Sequence, residues 1–351
     1  MKVAIVNDSR AAAEVLRRIV TELPGFSVLW TAFSGEQALQ LTAESRPDII
    51  LMDLIMPGIN GAETTRRIMQ ASPSVILVVT ATTVGNRDQV FEAMGYGALD
   101  AVNTPTLGPD GDMRGAEPLL QKLRMVARLV APAHPAQREV PERSTSVHPD
   151  DSGLPIVAIG ASTGGPQALA EVISHLPANF PAAILIAQHV DEQFSAGLAA
   201  WLQHHTPLPV RIARNGEAIA AGTVFIAGTR DHLIYSKGGI LNYTAIPVEA
   251  AHRPSVDVLF SSLARPHRPA RVGVLLTGMG RDGAEGLLAL RNAGALTLTQ
   301  DAASCVVYGM PKAAAELKAA GEILPLAAIG PRIRDAIFEQ VSTPTELISH
   351  Q

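Results

Sequence analysis

Cysteine, aromatic residues and long apolar runs are all scarce in this sequence. Cys305 is the only cysteine among 351 residues, which excludes a disulfide framework and a thiolate metal cluster. Aromatic residues make up only 4% of the chain, so aliphatic side chains must supply most of the packing. No apolar run approaches the roughly 18–20 residues that a membrane-spanning helix needs, and the first residues read as a strand rather than a signal peptide. We therefore expect a soluble cytoplasmic protein without membrane insertion.

Clustered positive charge is also missing. The chain carries 28 Lys and Arg against 33 Asp and Glu, for a net charge of -5, and its basic residues do not gather on any one segment. Proteins that bind nucleic acid present basic clusters, so we expect no nucleic-acid partner. What the chain does contain is enough length and hydrophobic content, at 47%, for two ordinary cores.

Two series of short apolar runs alternate with helical patterns, and a stretch rich in Pro, Ser and charge separates them. Unbroken apolar runs are typical of parallel strands covered by helices on both faces, so the pattern predicts two doubly wound α/β domains. We predict a flavodoxin-like domain over residues 1–125, a linker over 126–153, and a Rossmann-like domain over 154–343 with an antiparallel hairpin at 233–243. The predicted strands are 3–6, 28–30, 49–52, 75–79 and 99–102, then 156–159, 183–187, 224–227, 272–276 and 295–299.

Polar side chains follow three strands of the first domain. Asp8 follows the first strand, Asp53 follows the third, and Thr80 ends the fourth. Because the carboxyl ends of parallel strands share one edge of a sheet, we expect these side chains to converge there. Two carboxylates at such an edge suit Mg²⁺. On spacing alone, the alternative is that Asp8 and Asp53 only cap loops.

The segments VNDS (6–9), LMDLIMPG (51–58) and VTA (79–81) resemble the receiver domain of bacterial response regulators. The resemblance covers residues 1 to about 125. It implies that Asp53 accepts a phosphoryl group from a histidine kinase and that Asp8 and Asp53 hold Mg²⁺. It also implies that Thr80 is the switch residue that contacts the new phosphate.

Three positions depart from the receiver pattern. Asn7 stands where receivers usually carry a second acidic residue, Thr104 where they carry a lysine, and Ala101 where they carry an aromatic switch residue. The missing lysine removes a charge-assisted contact to the phosphorylated aspartate, worth about 1.5–3 kcal/mol. We therefore expect phosphorylation of Asp53 to persist and its coupling to output to be weaker.

A serine lies in a glycine-dense turn at the start of the second domain. Residues 160–164, GASTG, follow the strand at 156–159 and match G-x-S-x-G, in which small neighbours let a serine hydroxyl stand clear of a sharp turn. The motif alone is weak, because any glycine-rich loop between a strand and a helix can contain a serine. A catalytic Ser162 also needs a base.

His189 and Asp282 follow two other strands of the same domain. His189 closes the apolar run at 183–188, and Asp282 lies in the loop after the strand at 272–276. At three strand ends, these residues can form a triad in which Ser162 attacks, His189 takes its proton and Asp282 orients the imidazole. The chain order Ser–His–Asp differs from the Ser–Asp–His order of α/β-hydrolases and disfavours that family. The alternative for His189 is a core histidine satisfied by its neighbours.

The loop Gly278–Gly283 also suggests a different function. Its sequence GMGRDG fits G-x-G-x-x-G between a strand and a helix, and Asp301 follows roughly 20 residues later at the next strand end. A nicotinamide-dinucleotide-binding oxidoreductase is therefore the alternative. Against it, the glycines open a late unit of the domain rather than its first βα turn, and the pairing of Ser162 with His189 would be unexplained.

Several segments of the second domain resemble the catalytic domain of chemotaxis-type protein-glutamate methylesterases (CheB-like). They are IGASTGGP (159–166), QH (188–189), RPSVDVLF (253–260), LTGMGRDG (276–283), QD (300–301) and VYGMP (307–311). With the receiver and the linker, the resemblance covers nearly the whole chain. The Asn103-Thr104-Pro105 ending of the receiver resembles the branch that serves surface-sensing (Wsp-type) pathways.

This resemblance implies hydrolysis of glutamate γ-methyl esters, with deamidation of glutamines, on the cytoplasmic helices of methyl-accepting chemoreceptors. Ser162 would be the nucleophile, His189 the general base and then acid, and Asp282 the residue that orients His189. The backbone N–H of Met279, freed by its glycine neighbours, is the candidate oxyanion donor. A CheA-like histidine kinase would phosphorylate the receiver and so control the esterase. Mg²⁺ is implied for phosphorylation, and no metal for ester hydrolysis.

Overall fold

The structure is a computed structural model of the chain. It describes residues 1–81, 87–107, 113–130, 153–236, 238–250, 252–264 and 270–341. The chain divides into two compact units, residues 1–138 and 139–351. None of the helices within the described ranges is long and apolar enough to cross a bilayer.

The first unit contains a five-stranded parallel sheet and a short antiparallel pair. The strands are β1 (Lys2–Val6), β2 (Ser27–Ala32), β3 (Ile49–Met52), β4 (Val75–Thr80), β5 (Asp100–Asn103), β6 (Thr106–Leu107) and β7 (Met113–Arg114). The large sheet has the order β2-β1-β3-β4-β5, which confirms the doubly wound, flavodoxin-like prediction. Every residue of β3 is buried, as expected for a strand with both faces covered.

Five helices accompany these strands: α1 (Arg10–Glu22), α2 (Gly35–Glu44), α3 (Gly61–Ala71), α4 (Arg87–Gly95) and α5 (Ala116–Val130). α5 continues past the domain end predicted at residue 125, because Leu119, Leu123 and Val126 keep one helix face buried. The linker predicted over 126–153 therefore starts too early. Its residues 131–152 lie outside the described part of the chain.

The strand order of the first sheet reverses between β1 and β3. Val6 pairs with Met52 across these two strands, and the Asp53 N–H donates to the Val6 carbonyl at 2.9 Å. Asp8 and Asp53 therefore follow neighbouring strands at the point where open α/β sheets bind their ligands.

The second unit contains a seven-stranded parallel sheet, which confirms the Rossmann-like prediction. Its strands are β8 (Ile156–Ala161), β9 (Ala183–Gln188), β10 (Val210–Ile212), β12 (Val224–Ile226), β15 (Val272–Leu275), β16 (Leu296–Gln300) and β17 (Glu322–Leu324). They lie in the order β10-β12-β9-β8-β15-β16-β17. The sequence analysis missed β10 and β17, which are three-residue edge strands that are only partly buried and so lack an apolar run.

A small antiparallel sheet of order β11-β14-β13 adds to this unit. It consists of β11 (Glu217–Ala218), β13 (His232–Ser236) and β14 (Ile240–Thr244), so the predicted hairpin is confirmed and gains a third strand. The helices of the unit are α6 (Gly165–Ser174), α7 (Glu192–Gln203), α8 (Val256–Leu263), α9 (Ala284–Asn292), α10 (Met310–Glu316) and α11 (Leu326–Val341).

The strand order of the second sheet reverses between β8 and β15. Gly160 pairs with Leu275 across these strands, and on the other side of β8 Ala161 pairs with Gln188 of β9. The residues just beyond the carboxyl ends of β8, β9 and β15 therefore meet at one edge of the sheet, where a ligand site is expected.

Candidate active site

Ser162 is the first residue beyond β8, and its backbone is held by neighbouring strands. Its N–H donates to the Thr277 carbonyl at 3.0 Å, and its carbonyl accepts from the Gly165 N–H at 2.7 Å and from Gln188 Nε2 at 2.8 Å. The residue is 9% exposed. Because these bonds run to segments that follow β15 and end β9, the sheet itself sets the position of the serine.

The turn after Ser162 needs glycine for a conformational reason. Gly164 has a φ of +75°, in the left-handed region that side chains disfavour, and a Cβ there would lie 2.7 Å from the side chain of Val306. Helix α6 begins at the next residue. The G-x-S-x-G pattern therefore corresponds to a tight strand-to-helix turn, as the sequence predicts.

His189 and Asp282 are brought together from sites 93 residues apart in the chain. His189 Nε2 lies 2.7 Å from Asp282 Oδ2, and both side chains are largely buried. The two side chains are thus in contact, as the triad hypothesis requires. Because His189 has a carboxylate partner, this contact favours the triad over a histidine that only packs in the core.

Asp282 is held in turn by the start of helix α8. Ser255 Oγ donates to its Oδ1 at 2.8 Å, the Val256 N–H to its Oδ2 at 2.8 Å, and the Asp257 N–H to its Oδ1 at 3.0 Å. Ser255 also caps α8 by accepting from the Val258 N–H. The carboxylate therefore sits at a helix N-terminus, where backbone N–H groups favour negative charge.

These contacts decide the ionisation of Asp282. Burial acts to raise its pKa, but the hydrogen bond and charge of His189 and the N–H groups of Val256 and Asp257 outweigh burial and hold the pKa well below its usual range. Beside it, burial and the Asp282 charge raise the pKa of Asp257 to about 6, although the Gly286 N–H opposes the shift. The two carboxyls thus differ in character, and Asp282 is the ionised one.

The remaining nitrogen of His189 is suited to accept a proton. An ionised Asp282 at Nε2 assigns the proton of neutral His189 to that atom and leaves Nδ1 basic. Nδ1 is buried and has no hydrogen-bond partner among the described residues. Ser162 and His189 directly follow the paired residues Ala161 and Gln188. No hydrogen bond joins the two side chains within the described residues, and such bonds often tighten only when substrate binds.

Met279 lies in the loop that packs against Ser162. A Cβ on Gly278 would lie 2.2 Å from Met310 Sδ, 2.7 Å from Ser162 Cβ and 3.2 Å from Ser162 N, so only glycine allows this approach. The Gly278 N–H donates to the Val307 carbonyl, and the Gly278 carbonyl accepts from Gly309 and Met310. The neighbouring Met279 N–H makes no hydrogen bond to any described residue, so it is available to a ligand next to Ser162.

The receiver residues also meet at one edge of their sheet. Asp53 Oδ1 accepts from the N–H groups of Leu54 at 2.7 Å and Ile55 at 3.4 Å. Burial raises the pKa of Asp53, the nearby Asp8 carboxylate raises it further, and the two N–H groups oppose the rise. The Thr80 hydroxyl is close enough to favour ionised Asp53, but it is buried and outside hydrogen-bonding geometry with any described group.

Comparison with known proteins bears on both units. Residues 157–333 match the model of the CheB methylesterase family, and residues 3–108 match that of the response regulator receiver domain. A protein-glutamate methylesterase/protein-glutamine glutaminase of Cupriavidus pinatubonensis is 52% identical over 339 residues, which cover 96% of this chain and 97% of that protein. The chain belongs to the CheB methylesterase family.

Another relative is similar over nearly the whole chain, and two solved structures are similar over one unit each. A CheB-family protein of Pseudomonas aeruginosa, named protein-glutamate methylesterase/protein-glutamine glutaminase 3, is 49% identical over 337 residues, covering 95% of this chain and 99% of that protein. The crystal structure of the Thermotoga maritima CheB methylesterase catalytic domain is 34% identical and covers 52% of this chain and 98% of its own, with a TM-score of 0.49. The response regulator domain of T. maritima CheB is 31% identical and covers 38% of this chain and 98% of its own, with a TM-score of 0.32.

Neither these matches nor the geometry supports the nicotinamide alternative. Gly278, the first glycine of the fingerprint, packs on Ser162 instead of leaving room for a pyrophosphate. Asp301, which would bind the ribose, accepts from the N–H and Oγ of Ser304 at 2.9 and 2.6 Å and so closes its own turn. The prediction of a dinucleotide site at Gly278–Gly283 is therefore not upheld.

Several residues of the site were missed by sequence reasoning. The three donors to Asp282 come from Ser255, Val256 and Asp257, and the ring of His252 stacks on His189. A serine followed by an apolar run does signal a helix cap, so the start of α8 was predictable. That this helix start faces Asp282 depends on a long-range contact that local pattern does not reveal.

Proposed function

We propose that this protein hydrolyses γ-methyl esters of glutamates, and deamidates glutamines, on the cytoplasmic helices of methyl-accepting chemoreceptors. The observation that carries the proposal is the His189–Asp282 pair. The other ring nitrogen of His189, Nδ1, is buried and makes no hydrogen bond to any described residue. Family membership supports the substrate class. The geometry supports Ser162 as the nucleophile, His189 as the base and Asp282 as the orienting carboxylate.

The reaction follows from these groups. Ser162 Oγ attacks the ester carbonyl while its proton passes to His189 Nδ1, and the developing imidazolium is stabilised by ionised Asp282. The oxyanion accepts from the Met279 N–H, a type of contact whose loss costs about 100–1000-fold in rate. The imidazolium then protonates the departing methoxide, which leaves as methanol. Water then attacks the Ser162–glutamyl ester while its proton passes to His189. The imidazolium returns this proton to Ser162 Oγ as the C–O bond breaks and glutamate is released. An amide substrate follows the same route and releases ammonia.

Two substitutions test this mechanism. We expect Ser162→Ala and His189→Ala each to abolish methanol release from methylated receptor in membranes, with thermal unfolding close to wild type. Ser174→Ala and His204→Ala are matched controls, because both residues are exposed and lie at the C-terminal ends of α6 and α7. Methanol release at the wild-type rate from the Ser162→Ala protein would refute the mechanism.

Control of this activity is proposed to lie in the receiver, with Asp53 as phosphoryl acceptor. The Thr80 hydroxyl is buried and makes no hydrogen bond within the described ranges, so a phosphoryl group on Asp53 could use it. Asp8 and Asp53 fit Mg²⁺, a cation that takes one or two carboxylates and completes its shell with water and phosphate oxygens. The described residues contain no group of three or more His, Cys, Asp or Glu that could hold a metal ion. Water and phosphate oxygens would therefore have to complete the Mg²⁺ shell. Bound Mg²⁺ would neutralise phosphate charge during transfer.

The donor of the phosphoryl group is proposed to be a CheA-like histidine kinase. Beryllofluoride, which mimics the phosphoryl group, should raise the esterase rate of the wild-type chain and leave the rate of Asp53→Asn unchanged. An equal response of both proteins would place the effect outside Asp53. The assignment to a surface-sensing (Wsp-type) pathway rests on residues 103–105 alone and stays a prediction.

A further inference from the structure

A second histidine ring covers the imidazole of His189. The rings of His189 and His252 are stacked, with centroids 4.2 Å apart and planes inclined by 20°. His252 is exposed, whereas the side chain of His189 is only 8% exposed. The His252 ring therefore lies between one face of the catalytic imidazole and solvent.

The known partner of His189 fixes only part of its orientation. The covalent link through Cβ and the bond from Nε2 to Asp282 Oδ2 hold two points of the ring, and the ring plane can still rotate about the line that joins them. A parallel ring against its face limits that rotation and fixes the plane of the imidazole. We infer that His252 is a positioning residue, whose stacked ring holds His189 so that Nδ1 faces the Ser162 hydroxyl. This inference rests on the triad proposed above.

The segment that carries His252 is itself anchored. Buried His232 bridges its two ends, since its Nε2 lies 3.1 Å from the Pro247 carbonyl and its Nδ1 accepts from the Ser255 N–H at 3.0 Å. Arg253 Nη2 donates to the Val248 carbonyl at 2.6 Å. The His252 ring is therefore attached to a braced segment rather than to a loose loop.

The same short stretch of chain supplies both constraints on His189. Residues 255–257 donate the three hydrogen bonds that place Asp282, and His252 precedes them by three residues. The edge contact through Asp282 and the face contact through His252 thus derive from one anchored segment. This arrangement orients the imidazole before substrate binds. A misplacement of about 1 Å can lower the rate about 100-fold.

This role requires a planar ring but does not require that the ring titrates. During attack, His189 becomes a cation, and the face of a phenyl ring beside a cation is favourable. His252→Phe should therefore preserve the function, whereas His252→Ala removes the stack. If His252 instead acted as an acid, a base or a hydrogen-bond donor to substrate, both variants would fail alike.

The test compares His252→Ala and His252→Phe in the full-length protein. One readout is kcat and KM for methanol release. The other is the rate at which a fluorophosphonate labels Ser162, a step in which Ser162 Oγ bonds to phosphorus, fluoride departs and His189 takes the proton. Labelling reports serine activation without any receptor. His204→Ala is the control for loss of an exposed histidine.

We expect His252→Ala to lower kcat and the labelling rate together by about 10–100-fold, with KM within about 2-fold of wild type. His252→Phe should recover both rates to within about 3-fold. The inference is overturned if His252→Phe is as slow as His252→Ala, if His252→Ala labels like wild type, or if only KM changes. Should His252→Ala unfold, His252→Asn gives the same comparison with a polar side chain. Absence of labelling in the wild type would instead count against the triad.

Discussion

Adding one methyl group at Gly278 should disable the nucleophile while the fold survives. The new Cβ would lie 2.2 Å from Met310 Sδ, which belongs to a flexible side chain, and 2.7 Å from Ser162 Cβ. Ordinary contact begins at 3.4 Å, so the new Cβ and Ser162 Cβ must separate by about 0.7 Å even if the Met310 side chain moves aside. Backbone hydrogen bonds hold both residues in place. Ser162 bonds to Thr277, and Gly278 bonds to Val307, Gly309 and Met310. A displacement of about 1 Å costs about 100-fold in rate. We therefore expect Gly278→Ala to lower kcat about 10–100-fold, with a loss of about 1–3 kcal/mol in unfolding free energy from overpacking.

Gly273→Ala is the matched control for this prediction. Gly273 lies in β15, and its Cβ would crowd Leu290 at 2.7 Å and Leu287 at 3.0 Å, both on α9 and away from Ser162. It should lose stability by a similar amount and keep its rate. The measurements are urea unfolding and methanol release per folded molecule. If Gly278→Ala keeps a rate within about 3-fold of wild type, or if Gly273→Ala loses as much activity, close packing of the loop does not position Ser162.

Three further predictions follow from the site and the receiver. Because the native pKa of Asp257 is raised to about 6, above its unfolded value of about 3.9, the folded state binds more protons in that window and stability falls as pH rises through it. Asp257→Asn should flatten that slope in urea unfolding and gain about 1 kcal/mol at pH 7.5 after solvent screening; identical slopes would contradict the shift. Asp282→Asn should lower kcat by about 1,000–10,000-fold through the wrong imidazole tautomer, whereas Asp301→Asn, at the next strand end, should not. Thr104→Lys should increase the factor by which beryllofluoride raises the esterase rate. If beryllofluoride raises the wild-type rate by the same factor, Thr104 does not weaken the coupling.

The fold was largely predictable because parallel strands in the middle of a sheet leave a local signal. β3, β8 and β9 are buried throughout, and such strands read as unbroken apolar runs. The edge strands β10 and β17 are short and partly exposed, so nothing in their composition separates them from loops. The domain end predicted at residue 125 falls inside α5, which continues to Val130 where the apolar spacing of the sequence fades.

The sequence by itself determined which residues stand at strand ends, because the turn that carries Ser162 needs glycine locally and His189 directly follows an apolar strand. It could not decide whether the glycines at 278–283 serve a dinucleotide or a nucleophile. That depended on the strand order, which sets β15 beside β8 and so places Gly278 against Ser162. Only the tertiary structure showed the α8 donors to Asp282 and the ring of His252 on His189. Such contacts join segments far apart in the chain, and their energies depend on distances that no local pattern encodes.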